Sequence, residues 1–220
     1  MAIECVHIYK SYEDENIFTN LNLSFAHGFM AAIMGKSGRG KTTLINLIAG
    51  FLEADYGEIR GIAGMRLSMV FQEDRLLEHL SGLDNLLIVE NDRERALQLL
   101  AKAGLADDAN KKSAEYSGGM RRRLALCRAL MIDFDFLILD EPFKGLDEKI
   151  KPQIMEMTRA ATMDKTAILV THRLGSARIA DRIIVMDGGK IAGIGAHREL
   201  MDSCEIYADL YDSQAGWYRE

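Results

Sequence analysis

FMAAIMGKSGRGKTTLINLIAG, residues 29–50, joins two apolar runs through nine residues drawn only from glycine, lysine, serine, arginine and threonine. Residues 29–34 form an unbroken apolar run of strand length, and 44–50 return to apolar residues in a helical pattern. The connection reads Gly35-x-x-x-x-Gly40-Lys41-Thr42, a phosphate-binding loop in its required strand-loop-helix setting. Glycines let the backbone wrap closely round an anion, so that amide N–H groups and a helix N-terminus face it, while Lys41 adds a mobile positive charge. Thr42 offers a hydroxyl to a bound Mg²⁺. A glycine-rich turn with an exposed lysine is the bland alternative, and it explains neither the spacing nor the context.

Working outward, further apolar runs suited to buried strands occur at 67–71, 136–139 and 167–170, with helical patterns between them. That alternation predicts an α/β fold with a mostly parallel sheet covered on both faces. Residues 3–9 and 21–25 read as a small antiparallel piece at the N-terminal end. Residues 183–186 and 190–194 flank Asp187-Gly188-Gly189, a hairpin signal. Between 80 and 114 no strand is expected, and 93–103 reads as a helix stopping at Gly104. This predicts one domain over residues 1–220, with a helical subdomain at about 73–130 inside it.

Three of the apolar strands deliver polar residues at their ends. In FDFLILDEP, Asp140 falls at the carboxyl edge of the sheet, where open α/β folds bind ligands, and is placed to hold Mg²⁺ directly or through water. Glu141 follows, free to polarise a water for in-line attack on a terminal phosphate. An acidic pair compensating a helix dipole before Pro142 is the competing explanation. TAILVT delivers His172, and LSMVF is closed by Gln72; alone, each also reads as an ordinary loop residue.

EYSGGMRRRLALCRAL, residues 115–130, opens another helix. Ser117 is a natural N-cap, which turns Met120, Leu124, Cys127 and Met131 to the core. The exposed amides of Gly118 and Gly119, beside Ser117 and a helix N-terminus, also make a phosphate receptor.

Composition bounds the partners. With 220 residues and 48% apolar content the chain buries a real core, and its formal charge of -6 argues against nucleic acid as the main partner. Cys5, Cys127 and Cys204 are odd in number and lack metal spacing, which points to a reducing cytosol. No run is long and apolar enough to span a bilayer, and Glu4 and His7 stand where a secretion signal would be apolar. A chain soluble by itself is expected.

The ordered set Gly35-x-Ser37-Gly38-x-Gly40-Lys41-Thr42, Gln72, Ser117-Gly118-Gly119, Asp140-Glu141-Pro142, Leu146-Asp147 and His172 resembles the nucleotide-binding subunit of ATP-binding cassette (ABC) transporters over nearly the whole chain. The resemblance implies a P-loop NTPase core whose helical subdomain carries the family signature. ATP and Mg²⁺ are its cofactors, with ATP held by Gly35, Lys36, Ser37, Gly38, Arg39, Gly40, Lys41, Thr42 and Thr43. It implies that Tyr12 stacks on adenine, that Gln72 senses the γ-phosphate and metal, and that Thr42, Gln72 and Asp140 hold Mg²⁺. Glu141 is then the catalytic base and His172 the switch histidine. Ser117, Gly118 and Gly119 close over the ATP of a second cassette in a homodimer or heterodimer, and Asp147 crosses between the two.

The chain is most similar to separate-subunit importers of the nitrate, sulfonate and taurine group. That implies an integral membrane permease docking near Gln72 and EDRLLEHL, a cytoplasmic position on the membrane's inner face, and a solute-binding protein as a candidate further partner. Leu76, Leu77 and Leu80 are expected in the helical core before the docking groove. The tail IYADLYDSQ resembles exporter cassettes instead. Tyr116, Met120 and Lys144 depart from the family pattern. A P-loop GTPase would need an Asn-Lys-x-Asp element, and 110–113 reads Asn-Lys-Lys-Ser. A non-transport ABC ATPase usually carries long coiled coils or tandem cassettes, and an ATP sensor would not need Glu141 and His172.

Overall fold

The computed structural model describes residues 2–13, 15–36, 38 and 40–215. The chain opens with β1 (Ile3–Tyr12) and β2 (Glu15–Phe25), then β3 (Met30–Met34), α1 (Lys41–Ile48), β4 (Tyr56–Arg60) and β5 (Leu67–Val70). A helical stretch follows: α2 (Gly82–Leu87), α3 (Arg93–Lys102), a 3-10 turn at Ser113–Glu115 and α4 (Gly118–Met131). The second half runs β6 (Phe136–Asp140), α5 (Lys151–Ala161), β7 (Thr166–Val170), α6 (Leu174–Ala177), β8 (Arg182–Asp187), β9 (Lys190–Gly195), α7 (His197–Ser203) and α8 (Glu205–Ala215).

Among the described residues the strands form two sheets, ordered β2-β1-β4 and β5-β6-β7-β3-β8-β9. The first is antiparallel. The second is parallel except for β9, which turns back on β8 through Gly188 and Gly189. The expected α/β class, the antiparallel N-terminal piece and the hairpin are all present. β4 was not expected: YGEIR is exposed along nearly its whole length, so it carries no apolar run to announce a strand.

Every residue of β3, β6 and β7 is buried, as central parallel strands covered on both faces must be. Their side chains alternate between two cores with the period of two that a strand imposes. Leu137, Leu139, Ala167 and Leu169 face α4 and α5 together with Leu124, Cys127, Met131 and Ile154. Phe136, Ile138, Ile168 and Val170 face α1 and the antiparallel sheet. A third cluster packs Leu200, Cys204 and Tyr207 of the C-terminal helices on β8.

The helices of residues 82–131 share the first core with the sheet, and Leu76 is buried there. Leu124, Cys127 and Met131 are buried as expected and Met120 partly so. All three cysteines are free and buried, and burial pushes the Cys5 and Cys127 thiols up to about 12. Among the described residues no helix is long and apolar enough to cross a membrane.

Candidate functional site

Parallel strands end on one edge, and the order β5-β6-β7-β3 brings four such ends side by side. Gln72 follows β5, Asp140 ends β6 with Glu141 next, His172 follows β7, and the glycine-rich loop leaves β3. A cleft of about 400 Å³ opens there. It is lined by Gly38, Gly40, Lys41, Thr42, Thr43, Gln72, Asp140, Glu141, Lys144 and His172, with Ile17 and Val170. Ser37 and Arg39 lie outside the described residues.

The loop is built for close approach. A Cβ on Gly40 would meet the Phe18 ring at 2.9 Å, and one on Gly35 would meet the Met186 carbonyl at 2.2 Å. α1 starts from Gly40 with no side-chain cap and no acidic residue in its first turn, so its N-terminal amides and dipole are left for an anion. Lys41 Nζ bends back to donate to the carbonyls of Gly35 and Lys36, each at 2.8 Å. Burial holds its pKa below the ordinary lysine value, opposed by the charges of Glu141 and Asp140.

Asp140 is 4% exposed. Burial first, then the neighbouring Glu141 charge, lifts its pKa to about 6, against the pull of Arg122 and Lys41. Glu141 adopts a left-handed backbone, φ 49°, uncommon for a residue with a side chain and concentrated at functional sites. The conformation aims its carboxylate along the β7 end. Oε1 accepts from His172 N at 2.9 Å and lies 2.6 Å from His172 Nδ1, while Oε2 accepts from Thr171 Oγ1 at 3.3 Å.

The acid-lined side fits a small hard cation. Mg²⁺ is usually held by one or two carboxylates, hydroxyls, water and substrate phosphates, without an all-protein cage. Among the described residues no group of three or more His, Cys, Asp or Glu could hold a metal. Asp140, Thr42 and Gln72 line the same cleft, and their carboxylate, hydroxyl and amide oxygens are of the kind Mg²⁺ takes.

Other predicted residues stand apart. Tyr12 is half exposed at the end of β1 and lines no part of the cleft. The β1 end is pinned by Asp55, which accepts from Lys10 and Ser11; these bonds hold the Asp55 carboxyl down at about 2. Ser117 caps α4, accepting from Met120 N at 3.3 Å. Gly118 is exposed with open space around it, and a Cβ on Gly119 would meet the Gly145 carbonyl at 3.3 Å. Asp147 is exposed, its Oδ1 accepting from Lys149 N. Ser117, Gly118, Gly119 and Asp147 are not among the residues that line this chain's own cleft.

Three residues escaped sequence reasoning. Lys144, noticed only as a departure, lines the cleft. Arg122, buried on α4, donates to the carbonyls of Phe71, at 2.7 Å, and Gln72, and pairs with Asp74 at 3.3 Å. It ties the helix behind Ser117 to the loop that carries Gln72. Gln214 of α8 donates to the His172 carbonyl at 2.6 Å and accepts from Leu174 N at 3.0 Å. Nothing local in the sequence marks Arg122 or Gln214. A wider cleft of about 640 Å³ lies between α5, α6 and α8, and it shares no lining residue with the cleft at the strand ends.

The pattern of the ABC transporter family matches residues 18–144. The aliphatic sulfonates import ATP-binding protein SsuB 1 of Rhodococcus jostii is 36% identical over 84% of this chain and 79% of its own length. The sulfate/thiosulfate import ATP-binding protein CysA of Methylococcus capsulatus is 32% identical over 96% of this chain and 69% of its own. Among solved structures, the dimeric post-hydrolysis state of the ATP-binding cassette MJ0796 bound to ADP and Pi superposes with TM-score 0.80 and 29% identity, covering 88% of this chain and 98% of that one. A bacterial Atm1-family ABC exporter with ATP bound superposes with TM-score 0.90 and 26% identity, over 97% of this chain and 42% of that one.

Proposed function

The chain belongs to the ABC transporter family as an ATP-binding, ATP-hydrolysing subunit, and we propose that two such cassettes bury two ATP molecules between them with Mg²⁺. The observation that carries this reading is the division of the phosphate-binding groups. Lys41, Thr42, Asp140 and Glu141 line one cleft, while Ser117 and Gly118 are exposed outside that lining. A phosphate receptor without a phosphate site of its own is explained when a second cassette supplies the nucleotide.

In this mechanism the loop amides, the α1 N-terminus and Lys41 hold the β- and γ-phosphates. Thr42, Gln72 and Asp140 would hold Mg²⁺, which would supply positive charge against that of the phosphates. Glu141 takes a proton from the water whose oxygen bonds to the γ-phosphorus as the bond to the ADP oxygen breaks. His172 orients that carboxylate through Nδ1 and its backbone N–H and faces the same phosphate. Tyr12 stacks on adenine, and Asp147 crosses to the second cassette.

A membrane permease docks beside Gln72. Phe51 is 60% exposed and stacks on Phe71, with the Arg75 guanidinium 3.7 Å above that ring; exposed aromatic surface of this kind suits a partner helix. The import ATP-binding relatives support import, with a solute-binding protein upstream and the chain on the cytoplasmic face of the membrane. Export is the second reading, favoured by the extent of the likeness to the exporter cassette. The membrane subunit that co-purifies decides between them.

Mixing two inactive variants tests the composite site. Lys41→Ala and Ser117→Arg chains should each hydrolyse no ATP alone, whereas their mixture should regain activity through dimers with one intact site. Activity in both pure variants, or none in the mixture, would sink the reading.

A further inference from the structure

The short segment from Thr171 to Leu174 carries the switch histidine, and the polar groups along it are held from two sides. From the cleft side, Glu141 takes the His172 N–H and ring nitrogen and the Thr171 hydroxyl. Thr171 Oγ1 in turn accepts from Arg173 N at 3.1 Å. From behind, one side chain takes two further backbone groups: Gln214 Nε2 donates to the His172 carbonyl and Gln214 Oε1 accepts from Leu174 N. An amide presenting both a donor and an acceptor fits this pair, and neither a carboxylate nor an aliphatic chain of the same size does.

Gln214 comes from α8, an element that contributes nothing to the nucleotide cleft. α8 packs chiefly on α7 and touches β8. On its other side lies the 640 Å³ cleft, bordered by Leu174, Tyr211 and Gln214. The helix therefore meets the His172 segment beside an open cleft, through the apolar cluster that Leu174 shares with Tyr207 and Tyr211 and, at the backbone on either side of Arg173, through this amide. Since the same segment carries the hydrogen bonds that aim Glu141, a shift of its backbone moves both groups.

We propose that Gln214 is a positioning residue for ATP hydrolysis, setting the His172 segment from behind so that turnover depends on the C-terminal helix. The assignment rests on the function proposed above. Its test uses the purified full chain, with steady-state ATP hydrolysis, thermal unfolding, and hydrogen exchange at the Leu174 amide in the nucleotide-free protein.

Gln214→Leu should lower kcat by about tenfold to a hundredfold with KM for ATP within about twofold. It should leave the unfolding temperature close to wild type and speed Leu174 amide exchange at least about tenfold. Gln214→Glu should behave like the leucine variant at neutral pH. Its activity relative to wild type should recover as the pH falls, because the protonated acid again donates to the His172 carbonyl.

An unchanged kcat in a Gln214→Leu chain, a loss of turnover that tracks the unfolding temperature, or no recovery of Gln214→Glu at low pH overturns the assignment while leaving the proposed function standing. A wild-type chain that hydrolyses no ATP overturns both. Unchanged Leu174 exchange removes the pin itself, whatever the activity.

Discussion

Glu141 Oε1 lies 2.6 Å from His172 Nδ1 and accepts from His172 N at 2.9 Å, so one oxygen of the carboxylate is bound twice by the same residue, 31 positions away in the chain. The two ends of β6 and β7 are neighbours in the sheet. The left-handed backbone at Glu141 turns its side chain across to the next strand, and the pair faces the phosphate loop as a unit.

Glu141→Gln keeps the size of the side chain and removes the proton acceptor. ATP binding should persist while phosphate release falls about 100-fold or more. Nucleotide fluorescence titration beside a phosphate-release assay separates the two quantities. Wild-type turnover in this variant would reassign the base.

Asp140 is a buried acid whose pKa is raised from 3.8 to about 6, chiefly by burial. Between those values the folded protein holds a proton the unfolded chain has released, so metal-free stability should fall as pH rises from about 4 to about 6 and stay lower above it. Asp140→Asn removes the buried charge, and should be more stable than wild type at pH 7 by on the order of 2 kcal/mol, the gap closing toward pH 4. Urea midpoints of both proteins across this range decide it. A constant gap would mean that the carboxyl does not titrate there.

Tyr116 occupies the position where the family pattern commonly has leucine, and its packing explains why. The ring is buried, its hydroxyl donates to the Asp108 carbonyl at 2.7 Å, and a Cβ on Gly82 would meet that oxygen at 2.1 Å. Gly82→Ala should destabilise by about 1–3 kcal/mol through overpacking. Tyr116→Phe removes the clashing atom, so the double variant should be more stable than the sum of the singles by about 1 kcal/mol. Strict additivity in chemical denaturation would show that the contact is not made.

Arg122 holds the Phe71 and Gln72 carbonyls and the Asp74 carboxylate from α4. Arg122→Gln should cost about 3 kcal/mol, since a largely buried ion pair loses one partner. It should also loosen the Gln72 loop, seen as faster amide exchange over residues 71–75. Stability equal to wild type would show that the tether carries nothing.

The ordered fold was legible where pattern and geometry are local. An apolar run followed by glycines at fixed spacing and a helix specifies a strand, a loop and a helix whatever the rest of the chain does. Unbroken apolar runs specify covered parallel strands, and parallel strands put Gln72, Asp140, Glu141 and His172 on one edge before any tertiary contact is known. β4 was not legible, because four of its five residues are exposed and only Ile59 is half-buried, so it carries no apolar run.

Lys144 shows the limit from the other side. Its place two residues beyond Pro142 is plain in the chain, but its position in the cleft depends on how that loop turns. Arg122 and Gln214 bind main-chain carbonyls about 40 to 50 residues distant, and a carbonyl leaves no mark in a sequence, since every residue has one.

By itself, then, the sequence determined the fold class and the chemistry available at the sheet edge, because hydrophobic period and glycine spacing act over a few residues. The tertiary structure alone decided which side chains hold those groups in place: Arg122 behind Gln72, Tyr116 over Gly82 and Gln214 behind His172. Those pairings come from the packing of helices on the sheet, where residues remote in the chain meet only after the core has formed.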